Sequence, residues 1–324
     1  MGKTLVVHLG LPKTGTSTLQ THLFPFLPGY VGRSAGPTQP ALFSQIHRIW
    51  SSYLYGDRDA SRVADDLTGW VQSLPFEEFD TLLLSSEWFC RWPPSPFSVR
   101  DWPTADTRWS RPRKGQFPVV PFLAALKDSL PDGMELRTIL TVRNQVDFLG
   151  SLAAEAGVSN MRFVRRLIRR SDRFVDFYSF TTDLENVVGR QSHLTTVFED
   201  GIVRNSELML SFMGLDRKLL SSAQLGSQHE NLRKLATGSW AVNSQHGIFR
   251  QIIKRSVLKA PPQFFRSIKK PVLFVLRLFE RGRGMLRLTV SISKNEKDQI
   301  LEYCNESNEK LAQHLGRNLR PLGY

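Results

Sequence analysis

Cysteine is scarce, with only Cys90 and Cys304 in 324 residues. Two residues cannot build a disulfide framework, and without CxxC or HExxH spacing they bring no metal cluster; a reducing, cytoplasmic setting is the expectation. Long apolar runs are missing too. A bilayer span needs roughly 20 apolar residues, and the run that opens at Pro271 is broken at Arg277. The segment Thr4 to Leu9 alternates and is rich in β formers. It does not join a basic region to a longer apolar block, so it reads as a strand and not as a leader peptide. No internal repeat is visible. Hydrophobic residues at 41% and charged residues at 23% exclude a disordered, collagen-like or low-complexity chain.

Acidic residues are nearly absent from one stretch. The whole chain has a formal net charge of +13, and between His246 and Val290 eleven Lys and Arg face a single acid, Glu280. Such a patch attracts polyanions, whether nucleic acid, anionic lipid, a phosphate-rich cofactor or an acidic saccharide, and charge alone does not choose among them. Cations interleaved with Phe, Leu and Val suit adsorption to an anionic membrane. The expectation is a cytoplasmic protein with peripheral membrane contact through this segment and no nucleic-acid partner.

What is present is an alternation of strands and helices. Val6 to Leu9 with its flanks, Thr81 to Ser85, Leu136 to Val142 and His193 to Phe198 read as strands. Thr16 to Leu27, Ala41 to Tyr55, Arg62 to Leu74, Val146 to Glu155, Arg162 to Val175, Asn205 to Met213 and Ser293 to Leu315 read as helices. The alternation predicts an α/β fold: three layers around a central parallel sheet, P-loop-like, with a basic, mainly helical C-terminal extension. The division is 1–245 for the α/β domain and 246–324 for the extension, packed on the same domain. Arg91 to Pro118, with six prolines and Trp92, Trp102 and Trp109, reads as a long ordered loop or lid.

The densest chemical signal is "VVHLGLPKTGTSTLQ". Gly10, four residues and Gly15 have the spacing of a nucleotide-triphosphate loop, but the position after the second glycine holds Thr16 instead of lysine, and the lysine sits inside the loop as Lys13. Backbone amides of such a loop, with a helix starting behind it, make an anion site. Thr14, Thr16, Ser17 and Thr18 add hydroxyls. A kinase or NTPase places its lysine after the glycine, on the β and γ phosphates, and adds a carboxylate for Mg²⁺.

"LPKTGTSTLQ" resembles the 5'-phosphosulfate loop of sulfotransferases that use 3'-phosphoadenosine 5'-phosphosulfate, in particular the bacterial carbohydrate-type relatives. "LRTILTVRNQVDFLGSLAAE" resembles that family's ribose 3'-phosphate site, where an Arg at a strand's end and a Ser eight residues later grip the phosphate; Arg143 and Ser151 have that separation. The resemblance continues more thinly through "LTTVFED", "LMLSFMGLD", "QHENLRKLA" and the closing "SKNEKDQILEYCNESNEKLAQHLG". The basic insert around 246 to 290 has no counterpart.

The resemblance implies a 3'-phosphoadenosine 5'-phosphosulfate donor, no metal, and a hydroxyl acceptor on a saccharide. It also implies a cofactor site built from Pro12, Lys13, Thr14, Gly15, Thr16, Ser17, Thr18, Arg143 and Ser151, with Lys13 at the leaving oxygen. For the base it points to His or Glu. Glu87 in "TLLLSSEWF" stands just past a buried strand on the same sheet edge; the other reading is a carboxylate that caps a helix or pairs with an Arg. His8 and His22 are the runners-up. Trp88, Trp92, Trp102 and Trp109 either offer faces to a sugar or anchor the loop, and the arginine stripe from Arg162 to Arg173 either holds an acidic glycan or solvates a helix. Two other classes stay open: a P-loop kinase or NTPase with an aberrant loop, and a non-catalytic adaptor that binds membrane or polyanion.

Overall fold

All six residues of β1 (Thr4–Leu9) are buried, as a strand covered on both faces must be. The computed structural model describes residues 2–32, 39–55, 60–90, 117–156, 175–220, 240–241, 289–290 and 292–324. In it β1 is the centre of a five-stranded sheet, ordered β2 (Tyr30–Val31), β3 (Thr81–Ser86), β1, β4 (Glu135–Val142), β5 (His193–Val197). Every pairing in it is parallel, so all the carboxyl ends lie along one edge. The register is tight there: Leu9 is opposite both Ser86 and Leu140, and Val142 is opposite Val197.

The sheet has a helical layer on each side. On one face Val6, Leu83 and Ile139 pack with Leu19 of α1 (Thr16–His22) and with Met209, Leu210 and Met213 of α7 (Ile202–Met213). The other face carries Leu5, Val7, Leu9, Leu82, Leu84 and Leu140. They meet α2 (Gln39–Tyr55), α3 (Ala60–Gln72), α4 (Val119–Asp128), α5 (Gln145–Ala156), α6 (Phe177–Val188) and α8 (Lys294–His314). Each fully buried Leu or Phe of these layers contributes about 1.5–3 kcal/mol relative to exposure.

The three-layer α/β architecture with a parallel sheet is therefore as the alternation predicts, and the differences are local. α1 stops at His22 instead of Leu27, and a single 3₁₀ turn, Phe24–Phe26, follows. Pro25 has no N–H to continue the ladder, and its ring disfavours helical backbone at Phe24 before it. Two helices, α4 and α6, answer to no expected element. α4 is apolar nearly all round, with Val119, Val120, Phe122, Leu123 and Leu126 buried, so its 3.6-residue stripe is blurred. α7 ends on Gly214, whose φ of 71° supplies the left-handed cap expected of it.

α8 opens with a full capping box: Ser293 accepts from the Glu296 amide while Glu296 reaches back to the Ser293 amide. A short antiparallel ladder, β6 (Trp240–Ala241) with β7 (Thr289–Val290), lies against α5. The Pro-rich loop as far as residue 116, the arginine-striped helix through residue 174, the "QHENLRKLA" segment and the basic stretch as far as residue 288 lie outside the described residues. Among the described residues no helix is long and apolar enough to cross a membrane.

α8 is fixed to the sheet's helices by polar contacts as well as by Ile300, Cys304 and Leu311. Gln145, the first residue of α5, donates to Asn308 Oδ1 at 2.6 Å, and Asn308 Nδ2 donates back to Gln145 Oε1 at 3.3 Å, all within the core. Removing Asn308 strands Gln145 Oε1 and leaves Gln145 Nε2 with the Val175 carbonyl at 3.3 Å. Asn308→Ala is expected to cost about 1–3 kcal/mol in urea unfolding. The double replacement Gln145→Met with Asn308→Leu, which removes both amides at similar volume, should recover most of that loss.

Candidate functional site

Four strands deliver chemistry-bearing residues to the carboxyl edge, where open parallel sheets bind ligands. β1 runs into the loop from Gly10 to Gly15, β3 into a 3₁₀ turn that begins at Glu87, β4 into Arg143, and β5 into a turn, Phe198–Asp200.

The loop is shaped by contacts within itself. A Cβ on Gly10 would lie 2.4 Å from Thr16 Oγ1 and 2.5 Å from Thr16 Cγ2, so only glycine fits where the loop's two ends meet. The Thr14 hydroxyl donates to the Leu11 carbonyl at 2.6 Å and lies 3.5 Å from the Thr16 hydroxyl. Gly15 has φ 80°, and Lys13 has φ 68°, the one positive φ outside glycine among the described residues. A lysine in the left-handed region is held there against its own preference. The hydroxyl row is thus divided. Thr14 and Thr16 are buried and close the loop, whereas Pro12, Lys13, Ser17 and Thr18 are half-buried around its mouth.

Arg143 reaches back across the edge to this loop. Its Nη1 donates to the Lys13 carbonyl at 2.8 Å and lies 3.4 Å from the Ser151 hydroxyl on α5. The guanidinium carbon sits 4.6 Å from the centre of the Phe198 ring, a cation–π contact. Asp147 Oδ2 is 3.9 Å from Nη2, and the buried Nε has no hydrogen-bond partner. Burial lowers the guanidinium's pKa from its ordinary value, while Asp147 and Glu199 oppose that shift.

A carboxylate holds the turn that carries this arginine. Glu199 Oε1 accepts from both the backbone amide and the side-chain amide of Asn144, each at 2.9 Å, and Glu199 Oε2 accepts from the Tyr324 hydroxyl at 3.1 Å. Asn144 Oδ1 in turn caps α5 through the Asp147 amide at 2.9 Å. Burial raises the Glu199 carboxyl above its ordinary range, and the same hydrogen bonds pull it back. Beside it Asp200 is gripped by both guanidinium nitrogens of Arg317.

Glu87 is half-buried at the head of its turn, and Trp88 beside it is 48% exposed. His8 is wholly enclosed: Gln20 Nε2 donates to the Ser85 hydroxyl at 3.0 Å, and that hydroxyl is 2.9 Å from His8 Nδ1. The His8 ring also meets the edge of Phe24, with 5.1 Å between the ring centres. Burial lowers the His8 pKa to about 3, so it stays neutral in the core. His22 is half-buried in the last turn of α1.

The sequence pattern gave no sign of His47, which meets the Ser86 hydroxyl at 2.8 Å from α2, its ring 5.9 Å from Trp88; burial lowers its pKa to about 4. Phe198 and Glu199 fall within "LTTVFED" but no role is legible for them there, and Tyr324 gives no sign at all, because their part depends on three distant segments meeting. Asn144 carried a local signal, an Asn three residues before Asp147 at a helix start. Among the described residues no group of three His, Cys, Asp or Glu side chains is placed to hold a metal ion.

No protein-family model matches the chain, and no curated protein sequence matches it. Among solved structures, the fold is similar to a sulfotransferase from Alicyclobacillus acidocaldarius. The two chains are 11% identical, with a TM-score of 0.45 over 100% of this chain and 99% of that one.

The close approach of Gly10 and Thr16 can be tested alone. Gly10→Ala overpacks the loop and is expected to lower unfolding free energy by about 1–3 kcal/mol. Thr16→Ala leaves only a Cβ contact at 3.0 Å. In that background the same Gly10→Ala step should cost measurably less. Strict additivity in denaturant titrations would show that the two residues do not share the space.

Proposed function

We propose that the chain is a sulfotransferase that moves a sulfuryl group from 3'-phosphoadenosine 5'-phosphosulfate to a hydroxyl, with a carbohydrate as acceptor. One observation carries the reading: the guanidinium of Arg143 spans from the Lys13 carbonyl toward the Ser151 hydroxyl, so two sites that the sequence separates by 130 residues share one side chain at the sheet's carboxyl edge. The residues suit a donor with two anionic ends. The glycine loop with Lys13, Ser17 and Thr18 takes the 5' end; Thr14 and Thr16 set its shape. Arg143 brings a permanently charged fork for the 3'-phosphate, and Ser151 adds a hydroxyl.

The donor supplies an activated sulfur whose bond to the phosphate oxygen breaks as the acceptor oxygen attaches. This chain's part is electrostatic and protonic. Lys13 stabilises the charge that grows on the leaving oxygen, and Glu87 accepts the acceptor's proton. The positive charge that Mg²⁺ contributes in nucleotide kinases falls here to Lys13 and Arg143. The exposed face of Trp88, directly after Glu87, favours a sugar ring with its apolar C–H faces.

Calorimetric titration separates this reading from its rivals. Tight binding of 3'-phosphoadenosine 5'-phosphate without metal supports it. Mg²⁺-dependent binding of ATP in its place would make the protein a kinase or NTPase, and binding of polyanions alone would make it an adaptor. Lys13→Ala is expected to slow single-turnover transfer by about 10²- to 10³-fold with a smaller loss of nucleotide affinity. Glu87→Gln should lower turnover by roughly 10²-fold or more and leave nucleotide binding nearly intact. Retained turnover in Glu87→Gln would move the base elsewhere, with His47 the next group to replace.

A further inference from the structure

Arg143 spends its best hydrogen bond inside the protein. A residue whose only task was to hold a ligand phosphate would keep its donors for that phosphate, yet Nη1 lies 2.8 Å from the Lys13 carbonyl. The carbonyl belongs to the residue with φ 68°, the strained point of the loop. A lysine gains nothing intrinsic from left-handed backbone, and such a conformation persists only where surrounding contacts hold it. Gly15, two residues on, is backed by Phe198 and Ile202, within 3.4 Å of where its Cβ would stand. Phe198 is the ring on which the Arg143 guanidinium rests.

We propose that Arg143 is the positioning residue of the glycine loop: by donating to the Lys13 carbonyl it holds the loop in its anion-binding shape, so one side chain couples the two ends of the nucleotide. The proposal rests on the function proposed above and deepens it by giving the donor's 3'-phosphate a second effect. A phosphate received by the guanidinium immobilises it, and the guanidinium immobilises the loop. The protein would then select bisphosphorylated nucleotides by more than the direct contacts to the second phosphate. Asp147, Glu199 and the Phe198 ring also act on the guanidinium, so its freedom is limited before any ligand arrives.

The test compares adenosine 5'-phosphate, which has no 3'-phosphate, with 3'-phosphoadenosine 5'-phosphate. Each is titrated calorimetrically into the wild type, Arg143→Lys and Ser151→Ala. Arg143→Lys keeps the charge and loses the planar fork, so long-range attraction for the 5' end is preserved. The expected result is that Arg143→Lys weakens adenosine 5'-phosphate by about threefold to tenfold, the loss of one hydrogen bond's worth of loop order. Ser151→Ala should weaken the bisphosphate by more than it weakens that ligand. Equal affinity of the wild type and Arg143→Lys for adenosine 5'-phosphate would overturn the coupling while leaving the sulfotransferase reading in place. A wild type that binds the bisphosphate no more tightly than the monophosphate would defeat that reading, and the coupling with it. Thermal unfolding of Arg143→Lys checks that the fold is intact, and Arg143→Gln, which keeps a planar donor without charge, serves where it is not.

Discussion

The structure of this site depends on keeping one guanidinium charged and buried. Arg143 has a side chain only 13% exposed, and a charge so placed must be paired or solvated by dipoles. The surroundings meet that demand. Asp147 is 3.9 Å away, too far for a hydrogen bond, Glu199 contributes its field from the turn after β5, and Phe198 offers the face of its ring. Among the described residues its hydrogen bonds come from Nη1, to the Lys13 carbonyl and to the Ser151 hydroxyl. The result is an arginine kept in place by fields and packing.

The same logic explains why a second, ligand-independent network stands behind it. Glu199 faces inward and would be costly if unpaired, but it takes two hydrogen bonds from Asn144 and one from Tyr324. Asn144 is the residue between Arg143 and the first turn of α5, so fixing it fixes the direction in which β4 passes into the helix that carries Ser151. α8 reinforces the arrangement from outside: the Gln145–Asn308 amide pair locks the start of α5, and Ser307 with Asp176 and Glu185 with His314 lock α6. The far end of the chain thereby sets the geometry of an edge built by its middle.

How much of this could be read from the residues follows from which signals are local. The parallel sheet was legible because β1, β3 and β4 are short apolar runs between turn formers, and burial on both faces leaves that mark in any sequence. The loop was legible because glycine spacing records backbone conformation directly. Arg143 with Ser151 was legible as a strand-end cation followed by a hydroxyl on the next helix. α4 and α6 were not: α4 is too uniformly apolar to show a stripe, and α6 begins at an Asp176 cap directly after the arginine-rich segment, whose own stripe is the stronger pattern. The division of labour among the threonines was also hidden. Nothing in "KTGTST" separates Thr14, whose hydroxyl turns back on Leu11, from Ser17 and Thr18 at the mouth, because the difference arises only when Gly10 and Thr16 close on one another.

Placing the lysine inside the loop has a consequence for backbone strain. In a nucleotide-triphosphate loop the lysine follows the second glycine, where it enters the helix and its backbone is relaxed. Here Lys13 precedes Gly15 and occupies left-handed backbone that glycine would take at little cost. Glycine at 13 would relieve the strain and lose the ammonium, so the position keeps a side chain that the backbone disfavours. The strain, of order 1–3 kcal/mol, is offset where Arg143 binds the carbonyl of that same residue. Conformational strain at the loop and a charged donor at the neighbouring strand are therefore one arrangement, and neither Lys13 nor Arg143 can be understood from its own segment.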